Sequence, residues 1–123
     1  ETKGAKRSIR LEVSGGFHSI LMHEASIRLA KELTQVKISE AKIPVISNVD
    51  ARPTNLADEI REKLAKQVES SVLWEDSVRF MIKEGVSKFF EIGPGKILKG
   101  LIRKIDPNVE VITIEKIEDL DNL

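Results

Sequence analysis

His18 is the side chain of this sequence whose type and position most clearly suggest chemistry. It lies in the stretch Ser14-Gly15-Gly16-Phe17-His18-Ser19, between a strand-like alternation over Ser8 to Val13 and a helical periodicity from Met22 to Val36. The two glycines permit a sharp reversal of the chain, and Ser19 is the predicted N-cap of the helix. A neutral imidazole at such a junction can act as a general base, although a turn histidine bonded to backbone fits the same pattern.

Gln67 is a second candidate because its position predicts a side chain that points inwards. It follows Ile60 by seven residues on a predicted helix whose other periodic positions include Leu64 and Val68. A buried amide must find hydrogen-bond partners. Gln67 is therefore either a satisfied residue of the core or rim, or a residue that faces a site.

Other patterns that could carry chemistry are weak. Gly93-Pro94-Gly95-Lys96 lacks the glycine spacing and the following Ser or Thr of a phosphate loop, and indicates a strand-to-helix turn instead. His18 and His23 are five residues apart with no carboxylate at an established ligand spacing, so we predict no metal site and expect His23 at the surface. The sequence contains no Gly-x-Ser-x-Gly motif. It thus offers a candidate base without a candidate nucleophile.

Composition excludes several classes of function. The 123 residues include 20 basic and 20 acidic side chains, so the formal net charge is zero and gives no argument for binding nucleic acid or a membrane surface. Cysteine is absent, which excludes disulfides, zinc fingers and a thiol nucleophile. No apolar run approaches the ~18 residues of a membrane span. A chain without cysteine fits a reducing compartment, and we expect a cytoplasmic protein.

The elements that must position these residues alternate along the chain. Predicted strands at Ile43 to Val49, Lys88 to Ile92 and Val109 to Ile114 are separated by predicted helices, with Asn55 as an N-cap and Gly85 as a C-cap. This order predicts an α/β fold with a parallel sheet and helices on both faces. Ligands of such sheets bind beyond the carboxyl ends of the strands, where we expect the loop that carries the histidine.

Four stretches, in one order and spacing, resemble the C-terminal portion of the malonyl-CoA:acyl carrier protein transacylases, which load malonyl units for fatty acid synthesis. The stretches are Gly16-Phe17-His18-Ser19 with Leu21-Met22, Pro44-Val45-Ile46-Ser47-Asn48-Val49, Gln67 ahead of Val72-Leu73-Trp74, and Glu91-Ile92-Gly93-Pro94-Gly95-Lys96 with Leu98 and Gly100-Leu101. The resemblance implies that residues 15–123 are the C-terminal part of an α/β-hydrolase-like large subdomain. Residues 1–14 would hold the last strand of a ferredoxin-like small subdomain.

The resemblance also implies roles for individual residues. His18 would be the general base of a serine-histidine dyad, oriented by a backbone carbonyl that the match assigns to Asn48. Gln67 matches a glutamine that lines the substrate site near the serine. Phe17 matches a position where a bulky residue accompanies a preference for malonyl over methylmalonyl groups.

The implied substrates are malonyl-CoA and the phosphopantetheine thiol of an acyl carrier protein, with no cofactor. Lys6, Arg7, Arg103 and Lys104 match the basic face that docks the acidic carrier protein, although an ordinary solvated surface would have the same composition. The family's nucleophilic serine, malonyl-binding arginine and oxyanion hole precede the matched portion. We therefore expect the chain to be inactive alone and to work with a missing N-terminal half. A polyketide synthase acyltransferase, an acyl hydrolase and a catalytically silent partner subunit are the alternatives.

Overall fold

The structure, a computed structural model, describes residue 4 and residues 14–122. The predicted strand from Ser8 to Val13 lies outside the described residues, as does all but residues 4 and 14 of the segment 1–14 predicted to end a small subdomain. The elements are α1 (His23–Leu33), β1 (Val45–Ile46), β2 (Pro53–Thr54), α2 (Ala57–Gln67), α3 (Trp74–Lys83), β3 (Lys88–Ile92), α4 (Ile97–Ile105) and β4 (Glu110–Ile114). Short 3₁₀ turns at Ile20–Met22 and Ile117–Asn122 precede α1 and follow β4.

β3 and β4 form a parallel pair joined by α4. Their register runs from Lys88 opposite Glu110 to Ile92 opposite Ile114. The core lies between this pair and the helices α3 and α4, and its buried residues are Val78, Ile102, Val109 and Val111. This register confirms the predicted strands over 88–92 and 109–114 and their parallel pairing. Each strand has enough β-branched or aromatic residues to pack against the helices that flank it.

The predicted strand from Ile43 to Val49 is largely wrong. Only β1 is extended, and it pairs antiparallel with β2, so that Ile46 lies opposite Pro53. The chain reverses directly after it, since the N–H of Ala51 donates to the carbonyl of Ser47 at 2.8 Å. β1 therefore pairs with β2, which is close to it in the sequence, and not with the more distant strands β3 and β4. Within the described residues the two pairs form separate sheets.

The ends of two helices test the predicted caps. Gly85, with a φ of 94°, donates its N–H to the carbonyl of Ile82, and Val86 donates to that of Met81, which is the Schellman ending expected at this glycine. Asn55 is not an N-cap: α2 begins at Ala57 without a side-chain cap. The Asn55 amide instead donates to the carbonyl of Ala41 at 2.7 Å, because that backbone oxygen lies within its reach.

α1 and α2 lie side by side, and this pairing sets the position of the histidine loop. The buried hydroxyl of Ser26 donates to the carbonyl of Ala65 at 2.8 Å. At the other end of the pair, the guanidinium of Arg61 donates to the carbonyl of Val36 at 3.0 Å. No helix within the described part of the chain is both long and apolar enough to cross a membrane.

Candidate active site

His18 lies at the carboxyl end of α2. Its Nδ1 is 2.9 Å from the carbonyl oxygen of Gln67, and its backbone N–H donates to the carbonyl of Val68 at 3.1 Å. The last carbonyls of a helix have no partner within the helix, so α2 offers two adjacent acceptors where it ends. His18 therefore joins the loop before α1 to the end of α2.

The contact with Gln67 determines which ring nitrogen of His18 carries a proton. A carbonyl oxygen only accepts hydrogen bonds, so Nδ1 must be the donor. In the neutral ring the lone pair is then on Nε2, for which residues 14–122 provide no hydrogen-bond partner. Because the side chain is exposed, Nε2 is free to accept a proton from a group that approaches it.

The reversal of the chain before α1 depends on His18 itself more than on the glycines. His18 has a φ of 58°, in the left-handed region, whereas Gly15 and Gly16 do not have positive φ values. Gly16 is required for a different reason: a Cβ there would lie 2.7 Å from Cδ1 of Leu21. Ser19 is confirmed as an N-cap, of the 3₁₀ turn, since its Oγ accepts from the N–H of Leu21 at 3.4 Å.

The carbonyl assigned to Asn48 does not bind His18, and that expectation is wrong. The Asn48 carbonyl accepts instead from the N–H of Leu73 at 2.8 Å, just before α3 begins. The loop after β1 is therefore turned towards α3. Asn48 does come close to Gln67, because both line a small cavity of about 80 Å³ together with Lys63.

Lys63 and Asp50 hold the loop that carries Asn48 against α2. The Lys63 ammonium is 3.0 Å from a carboxylate oxygen of Asp50, and only a fifth of the lysine side chain is exposed. Although burial raises the pKa of Asp50, the hydrogen bond from Lys63, the N–H of Arg52 and the charges of both residues hold it below its ordinary value. The pair could not be predicted from the sequence, because Lys63 is one of several charged residues of α2 and nothing local indicates that it meets Asp50.

A second tie forms at the end of α2, between Glu69 and the first residue of α1. Oε2 of Glu69 accepts from Nδ1 of His23 at 2.6 Å, and Oε1 accepts from the Ser26 hydroxyl at 3.4 Å. His23 is more than half exposed, as expected of a surface residue, but it has a definite partner. The two residues are 46 positions apart in the sequence, so no local pattern indicated that they pair.

The turn from Gly93 to Lys96 leads into α4, where a carboxylate already occupies the N–H groups that a phosphate would need. The two carboxylate oxygens of Glu91 accept from the N–H groups of Leu98 and Lys99, each at 2.9 Å. These are the amides that an anion at a helix N-terminus would use. The turn is therefore a strand-to-helix connection capped by a carboxylate.

The remaining predicted residues lie apart from the small cavity. Phe17 is 57% exposed next to His18. Arg103 and Lys104 are exposed on the last turn of α4, and neither makes an ion pair with another residue of the described chain. Lys6 and Arg7 lie outside the described residues. The structure thus brings His18 to Gln67 and Gln67 to Asn48, but not all of the predicted residues to one cavity.

Comparisons of the sequence identify relatives over nearly its whole length, although no family model matches it. The malonyl CoA-acyl carrier protein transacylase of Bacillus subtilis (strain 168) is 45% identical over 118 residues, which are 96% of this chain and 37% of that protein. The enzyme of the same name from Synechocystis is 38% identical over 119 residues, 97% of this chain and 41% of that protein. The chain spans about two fifths of the length of these relatives.

Solved structures agree with these relatives. The malonyl CoA-acyl carrier protein transacylase of Coxiella burnetii matches with a TM-score of 0.93 and 36% identity, over 98% of this chain and 38% of that one. A malonyl-transacylase solved in complex with its type II PKS acyl-carrier protein matches with a TM-score of 0.92 and 33% identity, over 98% and 39% of the two chains. By sequence and by fold, the chain is therefore similar over nearly its whole length to the C-terminal portion of proteins named malonyl CoA-acyl carrier protein transacylases.

Proposed function

We propose that the protein transfers the malonyl group of malonyl-CoA to the phosphopantetheine thiol of an acyl carrier protein, and that His18 is its general base. The observation that carries this proposal is the hydrogen bond from Nδ1 of His18 to the Gln67 carbonyl. It fixes the tautomer in which Nε2 is the basic atom. Relatives over 96% of the chain that are named as malonyl transacylases support the substrate class.

The reaction needs a nucleophilic serine from outside this sequence. Nε2 of His18 takes the serine proton while the serine oxygen attacks the thioester carbonyl, and the imidazolium then protonates the departing CoA thiolate. In the second half-reaction Nε2 takes the proton of the carrier thiol, which attacks the malonyl-serine ester, and returns a proton to the serine oxygen. Throughout, the Gln67 carbonyl accepts from Nδ1 and holds the ring in one orientation.

The other site residues have supporting roles in this proposal. The amide of Gln67 and the side chain of Asn48 line the acyl site, supported by their shared cavity. Phe17 limits the size of the acyl group, and Arg103 and Lys104, with Lys6 and Arg7, bind the acidic carrier protein. No cofactor is needed, since proton transfer and acyl transfer suffice for the chemistry.

The fold implied by this proposal is the C-terminal part of an α/β-hydrolase-like parallel sheet, with the end of a ferredoxin-like subdomain in residues 1–14. The parallel pair β3 and β4, joined by α4, is the part of that sheet which supports it. The segment that bears the serine, the malonyl-binding arginine and the oxyanion hole would complete the site. On this reading the 123 residues alone would not turn over substrate.

The carrier protein of a type II polyketide synthase is a second candidate acceptor. One structural relative is a malonyl-transacylase bound to a type II PKS acyl-carrier protein, at 33% identity. The two acceptors share the same thiol and differ in the surface around it. Transfer rates to a fatty acid carrier and to a polyketide carrier, measured with one enzyme preparation, would show which is preferred.

The test is malonyl transfer by the whole protein that contains this sequence. With malonyl-CoA and holo carrier protein, we expect His18→Gln to lower kcat by about 10²- to 10⁴-fold, the usual value of a general base. The apo carrier, which lacks the phosphopantetheine thiol, is the control and should accept nothing. Transfer by His18→Gln at the wild-type rate would contradict the proposed role of His18, and no transfer by the wild type would contradict the proposed reaction.

A further inference from the structure

We propose that Glu69 and His23 form a positioning pair that holds the His18 ring against the Gln67 carbonyl. The inference rests on the proposed function, because it concerns the orientation of the base in that reaction. Neither residue touches the reacting atoms. Their effect is exerted through the loop that carries His18 and through the end of α2.

Five hydrogen bonds join the end of α2 to the segment from His18 to Ser26. His18 uses the carbonyls of Gln67 and Val68, and His23 uses the carboxylate of Glu69. The Ser26 hydroxyl shares its proton between the Ala65 carbonyl at 2.8 Å and the Glu69 carboxylate at 3.4 Å. The acceptors lie within five consecutive residues, 65–69. The donors lie on the loop and on the first turn of α1, so each bond constrains where the others can form.

Among these bonds, the one between His23 and Glu69 is best able to fix how the His18 loop lies against the end of α2. At 2.6 Å it is shorter than the two bonds of His18, as expected when the acceptor is a carboxylate, and Glu69 is only 23% exposed. The bonds from His18 to the Gln67 carbonyl and from His23 to Glu69 are both exposed, so water competes at each, and the shorter bond to the carboxylate withstands that competition better. His18 also has a left-handed φ, a conformation that costs about 1 kcal/mol and persists only when its surroundings enforce it.

Removing the Glu69 carboxylate would release the first turn of α1 from the end of α2. His18 precedes that turn by only five residues and would relax towards an ordinary φ. The ring would then leave the Gln67 carbonyl in part of the population, and Nε2 would be misdirected. Binding of malonyl-CoA uses other atoms and should change little.

Arg61 provides a matched control for helix pairing. Its guanidinium donates to the Val36 carbonyl at 3.0 Å and so ties α2 to the segment that follows α1, at the end of the helix pair away from His18. Arg61→Ala removes this one bond, whereas Glu69→Ala removes the bond to His23 and the longer contact of 3.4 Å with the Ser26 hydroxyl, which keeps the Ala65 carbonyl as its acceptor. A purely structural role for Glu69 predicts that the two variants behave alike.

The experiment compares Glu69→Ala, His23→Ala, Glu69→Gln and Arg61→Ala in the whole protein. We expect the two alanine variants of the pair to lower kcat roughly 10- to 100-fold, the cost of a misplaced catalytic group, with KM for malonyl-CoA changed less than about twofold. Glu69→Gln keeps an acceptor for His23 and should recover most of the rate. Arg61→Ala should keep the wild-type kcat. Equal kcat values for Glu69→Ala and Arg61→Ala would overturn the proposal.

Ring nitrogen shifts of His18 give a second readout that needs no turnover. In ¹⁵N-labelled wild-type protein we expect one dominant tautomer with Nδ1 protonated, and in Glu69→Ala a mixture of both tautomers. An unchanged His18 tautomer in Glu69→Ala would overturn the positioning pair even if malonyl transfer proceeds normally. If the wild type transfers no malonyl group but the tautomer shifts as expected, the proposed reaction fails and the positioning pair stands.

Discussion

At the scale of single residues, His18 combines a strained backbone with a well-satisfied ring and N–H. Its φ of 58° directs both its N–H and its Nδ1 towards the carbonyls at the end of α2. Non-glycine residues in this region are uncommon, and such strain is concentrated at functional sites. Gly15 and Gly16 are adjacent and could have adopted the left-handed conformation at no cost. The position of the strain at the histidine is thus what a fixed ring orientation requires.

Phe17 allows the acyl preference to be tested at the same scale. Phe17 precedes His18 in the chain, and its ring lies against Gly15, where an added Cβ would be 3.7 Å from the ring. Phe17→Ala removes the bulk that would meet an α-methyl group, so we expect the ratio of kcat/KM for methylmalonyl-CoA to that for malonyl-CoA to rise about tenfold. Competition between the two thioesters measures this ratio directly. Ile20→Ala, an exposed apolar residue of the same segment, should leave the ratio unchanged. An equal change in Ile20→Ala would show that Phe17 does not select the acyl group.

At the scale of elements, the ends of helices make the contacts that position the histidine and connect neighbouring segments. The end of α2 holds the histidine, the start of α4 is capped by Glu91, and the end of α3 closes in a Schellman motif at Gly85. In each case backbone groups left unpaired by a helix find a partner from a distant or adjacent segment. Function and stability here rest on the same property of helix ends.

Two glycines with open space around them should respond oppositely to substitution. A Cβ at either Gly85 or Gly100 would meet no atom within 4 Å, so backbone conformation decides the result. Gly85→Ala places a side chain at a φ of 94° and should lower the free energy of unfolding by about 1 kcal/mol. Gly100→Ala lies inside α4 and should raise it by about 0.5 to 1 kcal/mol. Urea denaturation measures both, and a loss of stability in Gly100→Ala would contradict this argument.

The sequence predicted those elements whose signal is local. Periodicity located the four helices and the pair β3 and β4, and Gly85 marked a helix end because only glycine is favoured there. Asn55 was mistaken for a cap because its amide has a competing acceptor, the Ala41 carbonyl, which is distant in the chain. β1 was predicted too long because the chain reverses at Ala51 with a positive φ, a conformation that an alanine in the sequence does not indicate.

The candidate site was predictable in its residue types but not in its contacts. His18 and Gln67 were identified from position and resemblance, and they do meet. The orienting carbonyl was assigned to Asn48, whereas Gln67 supplies it through its main chain. Every residue has a backbone carbonyl, so the sequence does not indicate which one binds His18. Only the position of the end of α2 in the structure shows that it is the carbonyl of Gln67 and not that of Asn48. The same applies to Glu69 and His23, whose pairing needs α1 beside α2.

At the scale of the whole chain, charge is balanced over the 123 residues, so the proposed attraction of an acidic carrier protein to this chain would have to be local. The 20 basic and 20 acidic side chains give no net field that would steer a partner from a distance. Several cations are held by neighbouring carboxylates, as Lys63 is by Asp50 and Lys88 by Glu110. Arg103 and Lys104 are adjacent and exposed on α4. They are therefore suited to bind acidic groups of a partner.

Charge reversal tests whether Arg103 and Lys104 bind the carrier protein. Arg103→Glu with Lys104→Glu in the whole protein should raise KM for the carrier about three- to tenfold at low salt, because two attractive contacts become repulsive. The difference should shrink as ionic strength rises, and KM for malonyl-CoA should not change. Lys31→Glu with Lys37→Glu gives the same change in net charge at exposed positions near the end of α1, and its KM should stay near that of the wild type. If both double variants raise KM for the carrier equally, the effect is one of net charge, and α4 is not the docking surface.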